Sequence, residues 1–508
     1  MPFHYLLLLL LLLPILSFFY LLLPKIIKNK SKFNNPPGPP RLPIIGNLHQ
    51  IDTSSLHTSL WNLSKSYGPI VSLDFGFIPT IVVSSATLAK EVMKTHDLIF
   101  CSRPLTLAQK KFTYNGLDVV FSPYNEYWRE MRKISIMNLF SPKRMQSSKY
   151  IREEEVSLAI NNINKLSSSS KVVNLSEIAK SVTCNIVMRM GFGKKYDDEN
   201  ERRRIVGLIG ELQVMIAHLF LTDLWPGLPF VGLVDKLITG NIDRLDKCFN
   251  DLDSFYQELI DERLDPRNQK SHEEQRYIID ILIQLKKDQV LSPIELTNDH
   301  IKAMLTDVLV AGTDASAAIV VWAMTSLIKN PKVMKKAQEE VRNVVGKKTT
   351  IIDEDDLPKF TYLKAIVKEV MRLYPPAPLL VPREAKKDII LNNGYKIKQN
   401  TMVHVNAFAI GRDPKSWENP EEFLPERFLG HGDIDFRGND FEFIPFGAGR
   451  RICPGISMGV MLVELLLANL VYFFDWGLPL GMKIEDINYE VMPGITMHKK
   501  NELCLLAH

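Results

Sequence analysis

The residues best able to do chemistry lie near the C-terminus, in Phe446-Gly447-Ala448-Gly449-Arg450-Arg451-Ile452-Cys453-Pro454-Gly455. Glycines and a proline frame one cysteine, and two arginines stand just before it. Glycine lets backbone come close to a flat ligand. Neighbouring arginines favour a thiolate over a thiol. A single thiolate on a tight loop suits axial ligation of haem iron, where it pushes electron density towards O–O cleavage. A buried cysteine in an ordinary turn carries the same residues. A second pair, Glu369 and Arg372, is spaced i, i+3 and shares one helix face. Buried, such a pair needs every donor used, so a third member such as Arg427 is expected.

These groups need elements to hold them. Thr361 to Tyr374 reads as the helix carrying Glu369 and Arg372. The longest helix has two possible starts: the capping box Ser292-Pro293-Ile294-Glu295, or Thr297 and Asn298. Apolar residues continue from Ile301 to Ile328, and Asn330-Pro331 stops the run. Asp307 and Asp314 inside it would be expensive in lipid, so it reads as a buried central helix. Short β-branched runs at Ile70–Leu73, Thr80–Val83 and around 389–405 predict a little sheet at the two ends of the body. No repeat or flexible linker interrupts residues 41–508, which predicts one mostly helical domain.

Residues 5–23 carry no charge and contain leucine throughout Leu6–Leu13. Nineteen helical residues span about 28 Å, close to the hydrocarbon core of a bilayer. Lys25, Lys28, Lys30 and Lys32 follow, so the segment predicts a retained anchor over 1–24 with the body on the cytosolic side. The positive charge follows the apolar run, whereas a cleaved signal would have it first. Residues 25–40 form a basic, proline-rich hinge, stiffened by Pro36, Pro37, Pro39 and Pro40. Five cysteines, odd in number and without paired spacing, fit the cytosol and exclude a disulfide scaffold or zinc motif. The triplets at Asn62 and Asn174 are then idle as glycan acceptors. With 62 basic and 58 acidic residues, charge balance points to no nucleic acid partner.

The cysteine segment resembles the haem-binding loop of the cytochrome P450 family, with Phe446, Gly449, Arg451, Cys453 and Gly455 at its fixed positions. Glu369 and Arg372, Pro425-Glu426-Arg427-Phe428, Trp128 with Arg132, and the Pro36–Pro40 hinge fall in the family's order. The resemblance implies a mainly α fold with a small β region and haem b held by the Cys453 thiolate. It further implies that Trp128, Arg132 and Arg451 hold the haem propionates, with Arg383 a weaker candidate. Ala311-Gly312-Thr313-Asp314-Ala315-Ser316 would lie over the haem, Ala311 and Gly312 leaving room for dioxygen and substrate and Asp314 relaying protons. Ala315 departs from the family, where a threonine is usual. Water or a substrate hydroxyl then fills in, Thr313 or Ser316 substitutes, or the reaction is a dehydration or isomerisation.

The same resemblance implies a monooxygenase of the endoplasmic reticulum membrane, a plant microsomal A-type member near the branch with aldoxime-oxidising enzymes. One oxygen atom would enter a lipophilic specialised metabolite, with electrons from NADPH through a cytochrome P450 reductase. Alternatives are a dehydratase or isomerase of the same fold, an aldoxime-metabolising enzyme, or a non-catalytic membrane haem binder. Arg129, Arg132, Lys133, Lys143, Arg144 and Arg450 form the expected reductase-facing patch. The substrate lining is expected from residues 113–121, 215–225, 309–315, 379–381 and 494–495.

Overall fold

Five helices and four strands position the site. They are β1 (Ile70–Phe75), β2 (Ile78–Val83), α1 (Glu126–Ile134), α2 (Leu175–Val187), α3 (Asn298–Lys329), α4 (Thr361–Leu373), β3 (Arg383–Glu384), β4 (Met402–Val405) and α5 (Ile456–Phe473). The computed structural model describes residues 34–508 apart from 196–198, 266, 268–276, 289–293, 348–349 and 431–433. The expected anchor over 1–24 and the basic stretch to residue 33 lie outside the described residues.

Helices α1 to α4 start where a polar side chain takes a backbone amide. Asn125 accepts from the Trp128 amide at 2.8 Å to open α1, and Asn174 accepts from Glu177 at 3.2 Å to open α2. For α4 the cap is remote: Glu340 accepts the Tyr362 and Leu363 amides at 2.7 and 2.9 Å. The central helix α3 begins at the second expected start. Thr297 is extended, its amide is taken by His300 Nδ1 at 3.1 Å, and Ile294–Thr297 is not helical.

Helix α3 runs through the core and packs against α2, α4 and α5. Helices α3 and α5 are each long and apolar enough to cross a membrane, yet both contribute to one buried apolar cluster. Trp322 of α3 stacks on Tyr374 at 4.4 Å. Away from its ends, α3 loses burial in its middle. Residues on both sides are buried, whereas Ala311 is exposed and Asp307, Val308, Val310, Gly312, Asp314 and Ala315 are half-buried.

The β region is small, as expected. Its main sheet has the order β1-β2-β4-β3. Strands β1 and β2 form an antiparallel hairpin, β2 pairs in parallel with β4 from Thr80↔Met402, and β3 closes the sheet antiparallel to β4. The sheet therefore joins the two ends of the body. The proline-rich stretch, from residue 34 onward, is a strap on that sheet. Pro37 O accepts from the Ser72 amide at 2.7 Å, and a Cβ on Gly38 would sit 2.0 Å from Ser72 O. Only glycine allows that approach.

Candidate functional site

The cysteine loop is a closed turn. The Cys453 amide donates to Phe446 O at 3.0 Å, and Ile452 N donates to Gly449 O at 3.1 Å. Gly447 and Gly449 have φ of 72° and 71°, a conformation costly for other residues. A Cβ on Gly449 would also lie 2.1 Å from Met93 O. Phe446 packs edge-on against Phe436 at 5.5 Å. Gly455 is the N-cap of α5, so Cys453 sits two residues ahead of the positive end of an 18-residue helix. Burial pushes the Cys453 thiol up, while the Gly455 amide and the Arg132 guanidinium oppose that and favour thiolate. Residues 452–461 are half-buried or exposed, a second accessible run beside the open middle of α3.

Around this loop stands a ring of guanidiniums. Arg451 donates to Cys101 O, Val119 O and Ser122 O at 2.8, 3.1 and 2.5 Å, and lies over Trp128 at 4.0 Å. Trp128 Nε1 donates to Val119 O at 2.9 Å. Arg132 donates to Ile452 O. Arg383 donates to Asp97 at 3.1 Å and to Ala448 O at 2.9 Å. Arg103, which the sequence reading missed, donates to Val120 O, Val381 O and Pro382 O. Among the described residues, Arg103, Arg132 and Arg451 have no carboxylate at ion-pair distance. Burial holds each below the usual arginine range, Arg451 at about 9. Buried charge without a partner costs several kcal/mol. Two propionate carboxylates are the partners this set lacks, so the donors present fit a haem.

On α3 the expected residues separate. Thr313 is buried, its hydroxyl donating to Leu309 O at 2.8 Å, and its carbonyl accepts from Thr183 of α2 at 2.7 Å. Ser316 is buried at the crossing with α5, where a Cβ on Gly459 would lie 3.8 Å from its Oγ. Asp314 and Ala315 are half-buried on the accessible stretch, and Asp314 Oδ1 lies 2.6 Å from His498 Nε2. Ala311 opens to that space. Gly312 does not serve the same purpose, because the room its missing side chain leaves is filled by Val187 of α2, 2.8 Å from a built Cβ.

One turn earlier, Asp307 meets the fully buried Asp118. Asp307 accepts the Val119 and Val120 amides at 2.7 and 3.3 Å, and Asp118 accepts Phe121 N at 2.6 Å. Burial and the neighbouring Asp118 charge push Asp307 well above the carboxylate range, and burial pushes Asp118 up to about 6. By taking the Val119 and Val120 amides, the Asp307 carboxyl clips the 118–121 loop to α3. That loop is expected lining. Val119, Val120, Phe121, Met215, Phe220, Leu309, Val381 and Ile495 join one apolar cluster. Trp225, Leu379 and Leu380 leave it. Trp225 and Leu379 pack beside β1, and Leu380, at φ 52°, turns into the cluster around Met93.

Glu369, Arg372 and Arg427 form the expected buried triad. Arg372 is bidentate to Glu369 at 2.7 Å for both bonds, and Arg427 Nε reaches Glu369 at 3.3 Å. The remaining Arg372 donors go to Gly411 O, Pro420 O and Glu422 O. The expected basic patch loses Arg132, which points inward to Ile452. Arg129 is paired with Glu126 at 2.9 Å and Lys133 with Glu130 at 3.8 Å. Arg450 is half-exposed beside Asp97 at 3.5 Å.

Comparison with known proteins agrees with this geometry. The chain is 49% identical to a 6,7,8-trihydroxycoumarin synthase of Pastinaca sativa, over 92% of each chain. It is 46% identical to a 5-OH-xanthotoxin synthase of Ammi majus, over 94% of this chain and 93% of the relative. Identity to cytochrome P450 71A1 of Persea americana is 46% over 91% of each. A zebra fish cytochrome P450 solved with abiraterone superposes with a TM-score of 0.73 at 24% identity, covering 89% of this chain and 98% of that one, which shows the fold. The cytochrome P450 family profile matches residues 36–505. The family holds haem through an axial cysteine thiolate, and the chain belongs to it.

Proposed function

We propose that this protein is a membrane-bound monooxygenase that hydroxylates a planar, oxygenated aromatic metabolite of the coumarin kind. One oxygen atom of O₂ enters the substrate and the other leaves as water, with two electrons from NADPH through a flavoprotein reductase. The haem-enzyme reading is carried by one observation: beside the Cys453 loop, Arg103, Arg132 and Arg451 have no carboxylate at ion-pair distance among the described residues. The substrate class is supported by relatives named for 6,7,8-trihydroxycoumarin and 5-OH-xanthotoxin.

Bound haem would supply the oxygen-activating iron. Cys453 would hold it as thiolate, supported by the Gly455 amide and the start of α5. Arg451, Arg132, Arg103 and Trp128 would turn their donors from backbone carbonyls to the propionates, with Arg383 held nearby by Asp97. Val120, Val308, Val310, Val381 and Ile495 would enclose a flat apolar substrate. With Ala315 lacking a hydroxyl, Asp314 is the residue that moves protons into the pocket. Arg129, Lys133, Lys143, Arg144 and Arg450 would face the reductase, and the 1–24 segment would anchor the body on the cytosolic side of the endoplasmic reticulum membrane.

The test uses full-length protein in microsomes with reductase, NADPH and a panel of xanthotoxin and di- and monohydroxycoumarins. A hydroxylated product that requires reductase is expected. Product without reductase would replace this reading by rearrangement or dehydration. Cys453→Ser should abolish the reduced carbon-monoxide absorption of thiolate ligation. Its retention would overturn the haem assignment.

A further inference from the structure

Asp314 has a partner from the far end of the chain. His498 Nε2 lies 2.6 Å from Asp314 Oδ1, and the two side chains are 16% and 14% exposed, enclosed yet within reach of water. The segment carrying His498 is held for this contact. The Met492 amide donates to His498 O at 2.9 Å, and Val491 bridges Lys499. Next door, Met497 N donates to Pro376 O at 2.8 Å, and Met497 O accepts from Trp322 of α3 at 2.7 Å. The C-terminal segment is thus fastened to α3 at Trp322 and again, through His498, at Asp314.

No hydroxyl competes on this turn. Ala315 has none, Thr313 donates to Leu309 O, and Ser316 lies buried at the α5 crossing. Asp314 is the side chain of residues 313–316 able to carry a proton into the accessible stretch, and its bonded neighbour is an imidazole. We infer that His498 positions Asp314 and reloads it with protons from solvent. This rests on the proposed role of Asp314. Solvent protonates Nδ1 of His498. The Nε2–H bond breaks as an O–H bond forms on the Asp314 carboxylate, leaving the imidazole neutral with its proton on Nδ1. Asp314 releases its proton to the pocket and returns to carboxylate. Exchange of the ring with water restores Nε2–H. One proton enters and one is delivered, with no change of net charge.

The experiment uses the full-length holoenzyme with reductase, NADPH and xanthotoxin as probe. NADPH consumption and peroxide release are read in H₂O and D₂O, whether or not the probe is turned over. Asp314→Asn should slow NADPH consumption by roughly a hundredfold, a general acid's ordinary contribution. His498→Gln keeps a donor for Asp314 but cannot relay. It should slow consumption by roughly tenfold, with a larger solvent isotope effect. The double variant should be no slower than Asp314→Asn. Hydrogen exchange of residues 491–499 and the carbon-monoxide spectrum of His498→Gln should match wild type. His498→Phe, which lacks the donor, separates anchoring from relay. Wild-type kinetics in either His498 variant, losses that multiply in the double variant, or slowing found only where exchange also rises would overturn the inference. If Asp314→Asn itself has no effect, the proposed role of Asp314 falls instead.

Discussion

At the scale of single residues, the Asp118–Asp307 pair has a pH signature. The folded Asp118 carboxyl is raised from 3.8 to about 6, mainly by burial. The folded protein therefore holds a proton that the unfolded chain releases, and stability falls as pH climbs from about 4 through 6. A shift of this size corresponds to about 3 kcal/mol. Asp118→Asn removes the linkage while its amide can still donate to Asp307. The apparent melting temperature of Asp118→Asn relative to wild type should rise between pH 4.5 and pH 7. A difference that stays constant with pH would show that burial does not raise Asp118. Hydrogen bonds to Asp118 from the Phe121 amide and with Asp307, and then the charge of Arg451, work against burial and limit its rise.

At the scale of elements, close approach and buried charge make opposite demands. Helices α2 and α3 touch at Gly312 and Val187, where a built Cβ would lie 2.8 Å from Val187 Cγ2. Valine is stiff at χ1 and cannot swing aside freely. Gly312→Ala gains about 1 kcal/mol of helix propensity but overpacks by about 1–3 kcal/mol. The substitution should therefore be neutral to destabilising in wild type and stabilising by about 1 kcal/mol in a Val187→Ala background. Thermal unfolding of the four proteins measures that sign reversal, and the same sign in both backgrounds would place the crowding elsewhere. The triad linking α4 to residues 411–427 behaves differently. Glu369 and Arg372 are fully enclosed, and each Arg372 donor is used. Glu369→Ala strands two guanidiniums and should cost about 3–5 kcal/mol, with the haem lost on purification. A variant of wild-type melting temperature would mean that the triad is not holding the fold together.

For the whole molecule, the apolar surface is uneven. Phe230, Leu237 and Ile238 are 77%, 72% and 77% exposed, with Leu233 beside them at 52%. A cluster of this kind marks a site that meets another apolar phase. We expect it to enter the bilayer beside the proposed anchor. Tryptophan placed at Phe230 in the full-length protein should be quenched by vesicle lipids brominated on their acyl chains, beyond the quenching of the natural tryptophans. Tryptophan at Val344, half exposed on the surface of another helix, serves as the control. Equal quenching at the two positions would remove the cluster from the membrane.

Much of this protein is legible in sequence because its chemistry is local. The loop from Phe446 to Gly455 needs glycine at two positive-φ positions and a cysteine just ahead of a helix, and those demands leave a dense pattern in ten residues. Helix α3 is legible for the same reason, since an all-round apolar run with a stop at Asn330-Pro331 is short-range information. Even there, the choice between two starts was settled by His300 taking the Thr297 amide. What sequence did not disclose are partnerships across hundreds of residues. Arg103 joins the guanidinium ring, Arg132 turns inward from the basic patch, Val187 fills the room at Gly312, and His498 meets Asp314. Each depends on where two distant backbones are brought by the parallel pairing of β2 with β4 and the crossings of α3. No local spacing encodes such a meeting. Leu379, Leu380 and Val381 are alike in type, and only the turn at Leu380 sends Val381 alone into the apolar cluster with Val119 and Leu309.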